Sequence, residues 1–146
     1  AHIDQHIAAS NGRMAKFCAI EKCSDQTDIL WIDNIGMLSR LYHYATLVYI
    51  GGGFGAGIHN TQEAAIYGNP VLFGPKFQNF KEAVDMVQDG GAIPVNSASE
   101  LEKGISFWLN DSEELAKTRA QNIAYMQFCT GATKIILEKL DAENWL

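Results

Sequence analysis

Several things are scarce in this sequence, and each scarcity removes a class of function. Cys18, Cys23 and Cys129 are its only cysteines, odd in number and without CxxC spacing. Neither a disulfide framework nor a zinc site follows from them, and ordinary reduced thiols are expected. No basic stripe interrupts a net charge of -6, which argues against a nucleic-acid partner. No apolar run approaches the ~18 residues that a membrane span needs, and no signal-peptide pattern is read in the first residues. His2 and His6 stand four apart without a carboxylate or cysteine cluster, so solvated histidines are expected there and no metal site. Internal repeats and low-complexity linkers are absent. So is any obvious nucleophile–base pair or close carboxylate dyad, and no catalytic residue is assigned within the chain.

What is present fits an α/β domain. Hydrophobic residues make up 47% and charged residues 19% of the 146, enough for one domain with a single core. Short apolar runs at Ala15–Ile20, Ile29–Asp33, Leu47–Ile50, Val71–Phe73 and Ala92–Val95 read as strands. They alternate with helical stretches at Met37–Tyr44, Asn60–Tyr67, Phe80–Gln88, Ala98–Leu109 and Ser112–Leu140, the last broken near Thr130-Gly131. Strands without polar alternation, each followed by a helix, indicate a parallel sheet covered on both faces. Only eight residues separate Ile20 from Ile29, too few for a helical crossover of at least ~10–12 residues. Strand 15–20 is therefore expected to be an edge piece, or not to pair with its sequence neighbour. The chain opens inside a helical pattern, His2 to Ala9, and reads as part of a larger protein. Ser97, with Glu100 three residues on, and Ser112 are expected N-caps, and Gly68 and Gly90-Gly91 helix stops.

Residues 51–63, Gly-Gly-Gly-Phe-Gly-Ala-Gly-Ile-His-Asn-Thr-Gln-Glu, are the most informative segment. Five glycines in seven positions let a backbone bend sharply and a ligand come close. Lying between a strand and a helix start, they suggest an anion site, where free N–H groups and the helix dipole act together. A dinucleotide fold is the rival reading, since 51–56 matches G-x-G-x-x-A. That fingerprint turns directly into its helix, whereas about eight residues intervene here, and Phe73-Gly74-Pro75-Lys76 stands where its acidic residue belongs. No Gly-Lys-Ser/Thr follows, so a Walker loop fails too. Asn60 and Glu63 have two readings. They form a capping box, with Asn60 accepting from the Glu63 amide. Alternatively, the amides of residues 60–62 face a phosphate while Glu63 accepts from ribose hydroxyls. His59 could face the same anion.

Larger blocks match a known family. Asp33-Asn34-Ile35-Gly36-Met37-Leu38, Tyr49-Ile50 with the glycines and Phe54, Gly57-Ile58-His59-Asn60-Thr61 with Glu63-Ala64, and Pro70-Val71 with Phe73-Gly74-Pro75 resemble the 3-deoxy-D-manno-octulosonic acid (Kdo) transferases. Asn79-Phe80 with Glu82-Ala83, and Gly131-Ala132-Thr133, extend the resemblance to about residues 29–140. It implies the C-terminal, Rossmann-like nucleotide-sugar-binding half of a type B glycosyltransferase. The implied donor is CMP-Kdo, the acceptor a lipid A precursor in lipopolysaccharide assembly, and the place the cytoplasmic side of the bacterial inner membrane. Inversion at the anomeric carbon without a metal is implied, with no cofactor, a general base in an N-terminal domain and an inactive isolated fragment. Carried over by position, Ile35, Gly36 and Met37 would meet the cytosine. Gly52, Gly53, Asn60 and Thr61 would surround the phosphate, Glu63 the ribose, and Lys76, Asn79 and Glu82 the Kdo. Residues 112–146, with Leu115, Ile123, Ile135, Ile136, Leu140 and Trp145-Leu146, form a helical tail expected to contact the N-terminal domain. Alternatives are a type B enzyme using a UDP-sugar and a non-catalytic nucleotide-binding module.

Overall fold

A fully apolar strand in the middle of a sheet needs cover on both faces, and Val71-Leu72-Phe73 has it. In the computed structural model, which describes residues 2–11, 13–143 and 145, this strand (β4, Val71–Phe73) lies between β3 (Val48–Ile50) and β5 (Ala92–Pro94), all parallel. Val71 and Phe73 point into a core with Val48, Ile50, Ala64, Ala65, Ala83 and Met86. Leu72 points the other way, toward Val95 and Trp108. Period-two alternation thus feeds two cores from three residues.

Helices supply that cover. The first core is closed by α3 (Gln62–Ala65) and α4 (Lys81–Gln88), the second by α5 (Ala98–Asn110). Ser97 caps α5 as expected: its Oγ accepts from the Glu100 amide at 3.2 Å, while Glu100 Oε2 accepts from the Asn96 amide at 2.8 Å. Helix α6 (Ser112–Cys129) is capped one residue earlier than expected. Asp111, and not Ser112, is the cap: its Oδ1 alone accepts from both the Glu113 and the Glu114 amides, each at 3.0 Å. Asn122 on α6 donates to the carbonyls of Asn69 and Gly91, tying the turns before β4 and β5 together. The chain breaks at Thr130-Gly131, where Gly131 has φ 99°, and α7 (Ala132–Ala142) follows with no buried residue.

The helix expected over Met37–Tyr44 is shorter, α2 (Leu38–Leu41) followed by a 3-10 turn at Tyr42–Tyr44. Contacts group the chain into two compact units, Ala1–Leu38 and Ser39–Leu146. The first contains α1 (His2–Ala9) and a second sheet in which β1 (Met14–Lys16) pairs in parallel with β2 (Ile29–Trp31). The expected single sheet is therefore two. Strand 15–20 does pair with its sequence neighbour, because it is shorter than its apolar run suggests. The chain turns into a 3-10 segment, Phe17–Lys22, where the Cys18 amide donates to Asp33 Oδ1 at 3.0 Å. With the strand ending at Lys16, residues 17–28 are long enough for the crossover. The side chains of His2 and His6, and residue Leu146, lie outside what the structure describes. No described helix is long and apolar enough to cross a membrane.

Candidate functional site

Everything distinctive about the glycine segment happens at the carboxyl ends of β3 and β4, the edge at which open parallel sheets bind ligands. After Ile50 the chain makes an antiparallel bridge with itself, Gly52 to Ile58, with the Gly53 amide donating to the Gly57 carbonyl at 2.6 Å. Gly53 (φ 82°) sits against Gly74, which follows β4: a Cβ on Gly53 would lie 2.6 Å from Gly74 Cα. The Lys76 amide donates to the Gly53 carbonyl at 2.9 Å, closing the two loops onto each other. These glycines let two protein loops approach each other, where the sequence reading has them admit a ligand.

The helix after the loop is a single turn. Asn60–Tyr67 was expected to be helical, but only Gln62–Ala65 is, and its N-cap position is Thr61. Four residues sum few peptide dipoles, so local N–H donors matter more here than a macrodipole. The Gln62 amide is occupied: it donates to Asn60 Oδ1 at 3.0 Å. The capping expected between Asn60 and the Glu63 amide is thus made to Gln62, and Glu63 reaches the Asn60 side chain, with Asn60 Nδ2 donating to Glu63 Oε1 at 3.0 Å. Among the described residues the amides of Asn60 and Thr61 donate to no protein acceptor. Thr61 is 1% exposed, and its hydroxyl has no partner. Residues 60–61 thus carry two N–H groups without a protein acceptor, one of them in a buried residue.

Beside Asn60 and Glu63 opens a cavity of about 390 Å³, lined also by Ser39, Gln62, Ile66, Tyr67 and Met126. Its size suits a nucleoside-sized ligand. Of these, Ser39, Ile66, Tyr67 and Met126 were not legible as site residues. Met126 comes from α6, far along the chain, and only its helical spacing from Asn122 hints at its face. Nearby, burial first and the charge of Glu63 second push the Tyr42 phenol above its ordinary pKa. Lys76 and Asn79 are exposed in the loop from β4 to α4, and Glu82 lies in the first turn of α4. Ile35, Gly36 and Met37 belong to the other unit. There they form a turn after β2, with Ile35 and Gly36 exposed, Met37 half-buried, Gly36 at φ 90° and Asn34 Nδ2 2.8 Å from Met37 Sδ. Among the described residues, no three His, Cys, Asp or Glu side chains are grouped to hold a metal ion.

Comparisons with known proteins bear on both fold and family. No family model matches the chain. The class is set by a solved structure: the chain shares the mixed α/β fold of the C-terminal CMP-Kdo binding domain of WaaA from Acinetobacter baumannii. That likeness has a TM-score of 0.75 and covers 86% of this chain and 67% of that one, at 19% identity. The particular similarity is to the 3-deoxy-D-manno-octulosonic acid transferases. The chain is 32% identical to that of Rickettsia typhi over 114 residues, 77% of this chain and 24% of the relative. It is 34% identical to that of Chlamydophila psittaci over 93 residues, 62% of this chain and 22% of the relative. The chain thus spans about a quarter of the length of these curated relatives.

Proposed function

We propose that this chain is the donor-binding domain of a Kdo transferase, holding CMP-Kdo while Kdo passes to a lipid A precursor. The observation that carries the reading is the mouth at residues 51–61, where loops meet through glycines and two amides stand without acceptors, in a chain similar to Kdo transferases. The site residues are Ile35, Gly36 and Met37 for the cytosine, Gly52, Gly53 and the Asn60 and Thr61 amides for the phosphate, and Glu63 for the ribose. Lys76, Asn79 and Glu82 are assigned to the Kdo. As the glycosidic bond breaks, the bonding electron pair leaves with the CMP phosphate, and fixed N–H donors stabilise that charge with little reorganisation. Binding of the remote cytidine helps hold the reacting carbon in place.

The acceptor hydroxyl gives its proton to a base in an N-terminal domain, which residues 112–146 contact. The transfer inverts the anomeric carbon and uses neither metal nor cofactor, and residues 1–146 alone have no transferase activity. The whole enzyme works at the cytoplasmic side of the inner membrane. Titration with CMP and UMP tests the donor: CMP should bind at least tenfold more tightly. In the full-length enzyme, Glu63→Ala should lower donor affinity or turnover at least tenfold. Unchanged donor affinity and rate would remove Glu63 from the site.

A further inference from the structure

We infer that Asn60 is a positioning residue for Glu63, and that through it the site selects ribonucleotides over deoxyribonucleotides; this rests on the donor-site reading above. Both ends of the Asn60 carboxamide are engaged within the protein. Oδ1 accepts from the Gln62 amide and Nδ2 donates to Glu63 Oε1, each at 3.0 Å. The backbone N–H can only donate, which fixes the carboxamide orientation and turns Nδ2 toward the carboxylate. The Asn60 side chain is thus committed to Glu63, and what residue 60 offers an anion is its main-chain amide.

The arrangement does to Glu63 what a cap alone would not. Glu63 is exposed in the first turn of α3, where an unrestrained glutamate samples many rotamers. The bond from Asn60 fixes one of its oxygens beside the cavity shared with Ser39 and Tyr67. No other hydrogen bond or ion pair to Glu63 is present among the described residues, so Oε2 keeps its acceptor capacity. An ionised carboxylate accepts only, so its complement is a donor such as a sugar hydroxyl, and a pre-positioned acceptor binds it at lower ordering cost. Capping does not by itself require asparagine: aspartate and serine cap as well. Asparagine divides the two tasks between two atoms, Oδ1 toward Gln62 and Nδ2 toward Glu63, whereas a serine hydroxyl is one bond shorter with a single oxygen for both, and aspartate would set a second negative charge beside Glu63.

The test compares CMP with 2′-deoxy-CMP binding in the full-length enzyme carrying Asn60→Asp, Asn60→Ser or Glu63→Ala, with thermal unfolding in parallel. Both Asn60 variants keep a cap acceptor, so melting temperature should hold, while the preference for CMP falls at least fivefold. Glu63→Ala should bring the preference close to unity. Asn60→Ser introduces no charge and decides the matter if Asn60→Asp fails to fold. Wild-type preference in Asn60→Ser with Glu63→Ala impaired would overturn the positioning role and leave the ribose reading intact. Wild-type preference in Glu63→Ala would overturn both.

Discussion

Two glycines that face each other decide how closely the loop after β3 approaches the loop after β4. A Cβ on Gly74 would lie 2.5 Å from the Gly52 carbonyl oxygen, and one on Gly53 2.6 Å from Gly74 Cα. Backbone cannot move aside as a flexible side chain can, so Gly74→Ala should destabilise the fold by about 1–3 kcal/mol through overpacking. Gly53→Ala adds left-handed strain of about 1–3 kcal/mol, because its φ is 82°. Urea unfolding of the two variants measures both costs, and Gly53→Ala should be the worse. A second residue-scale case is Trp108, buried at 1% exposure with its Nε1 donating to Thr118 Oγ1 at 3.1 Å. Thr118→Val keeps the volume and leaves a buried N–H bare, at about 1–3 kcal/mol. Thr118→Ser should recover most of that loss, since the acceptor returns.

At the scale of elements, α6 is held more by polar ties than by an apolar stripe. Asn122 bonds two turns, and Tyr125 donates to Asp85 on α4 at 3.2 Å, where Lys81 also reaches the same carboxylate. Hydrogen bonding from Lys81, then from Tyr125, holds the Asp85 carboxyl below the ordinary carboxylate pKa. A lowered folded-state pKa means that the stabilisation is complete above the unfolded value near ~4 and fades as pH falls through the lowered one. The melting-temperature gap between wild type and Asp85→Asn should therefore stay constant from pH 7 to about 5 and narrow below about 4. A gap that persists unchanged at pH 2 would remove Asp85 from the link. Such ties also mark the limit of what the sequence made legible. Strands β3 to β5, the break at Gly131 and the cap at Ser97 were readable because each depends on local apolar runs or turn chemistry. The length of β1, the single-turn α3 and the Asn60–Gln62 bond were not, since side-chain hydrogen bonds such as Cys18 to Asp33 set them. The glycine mouth could be read from residues 51–63, but the cavity beside it needed Met126, brought in from α6 by tertiary packing.

Across the whole molecule, hydrophobic burial is distributed unevenly between the two units. Both core clusters, from Val48 to Trp108, lie within Ser39–Leu146. In Ala1–Leu38, Ala15 is the one buried hydrophobic among the described residues, and Ile29, Leu30 and Trp31 of β2 are 50%, 41% and 40% exposed. Buried apolar area drives folding at roughly 25 cal/mol per Å², and a segment of under ~40 residues that buries so little cannot offset its chain entropy. A fragment of residues 39–146 should therefore unfold cooperatively on its own, with circular dichroism showing a sharp melt. A fragment of residues 1–38 should show none. The candidate cytosine contacts Ile35, Gly36 and Met37 fall in that second fragment, while the phosphate and ribose residues fall in the first. On the proposed assignment, residues 39–146 should then retain weak affinity for CMP and lose discrimination between CMP and UMP, because residues 35–37 are gone and residues 51–63 are not. Retention of full CMP-over-UMP preference by that fragment would move base recognition off residues 35–37 and onto the cavity lined by Tyr67 and Met126.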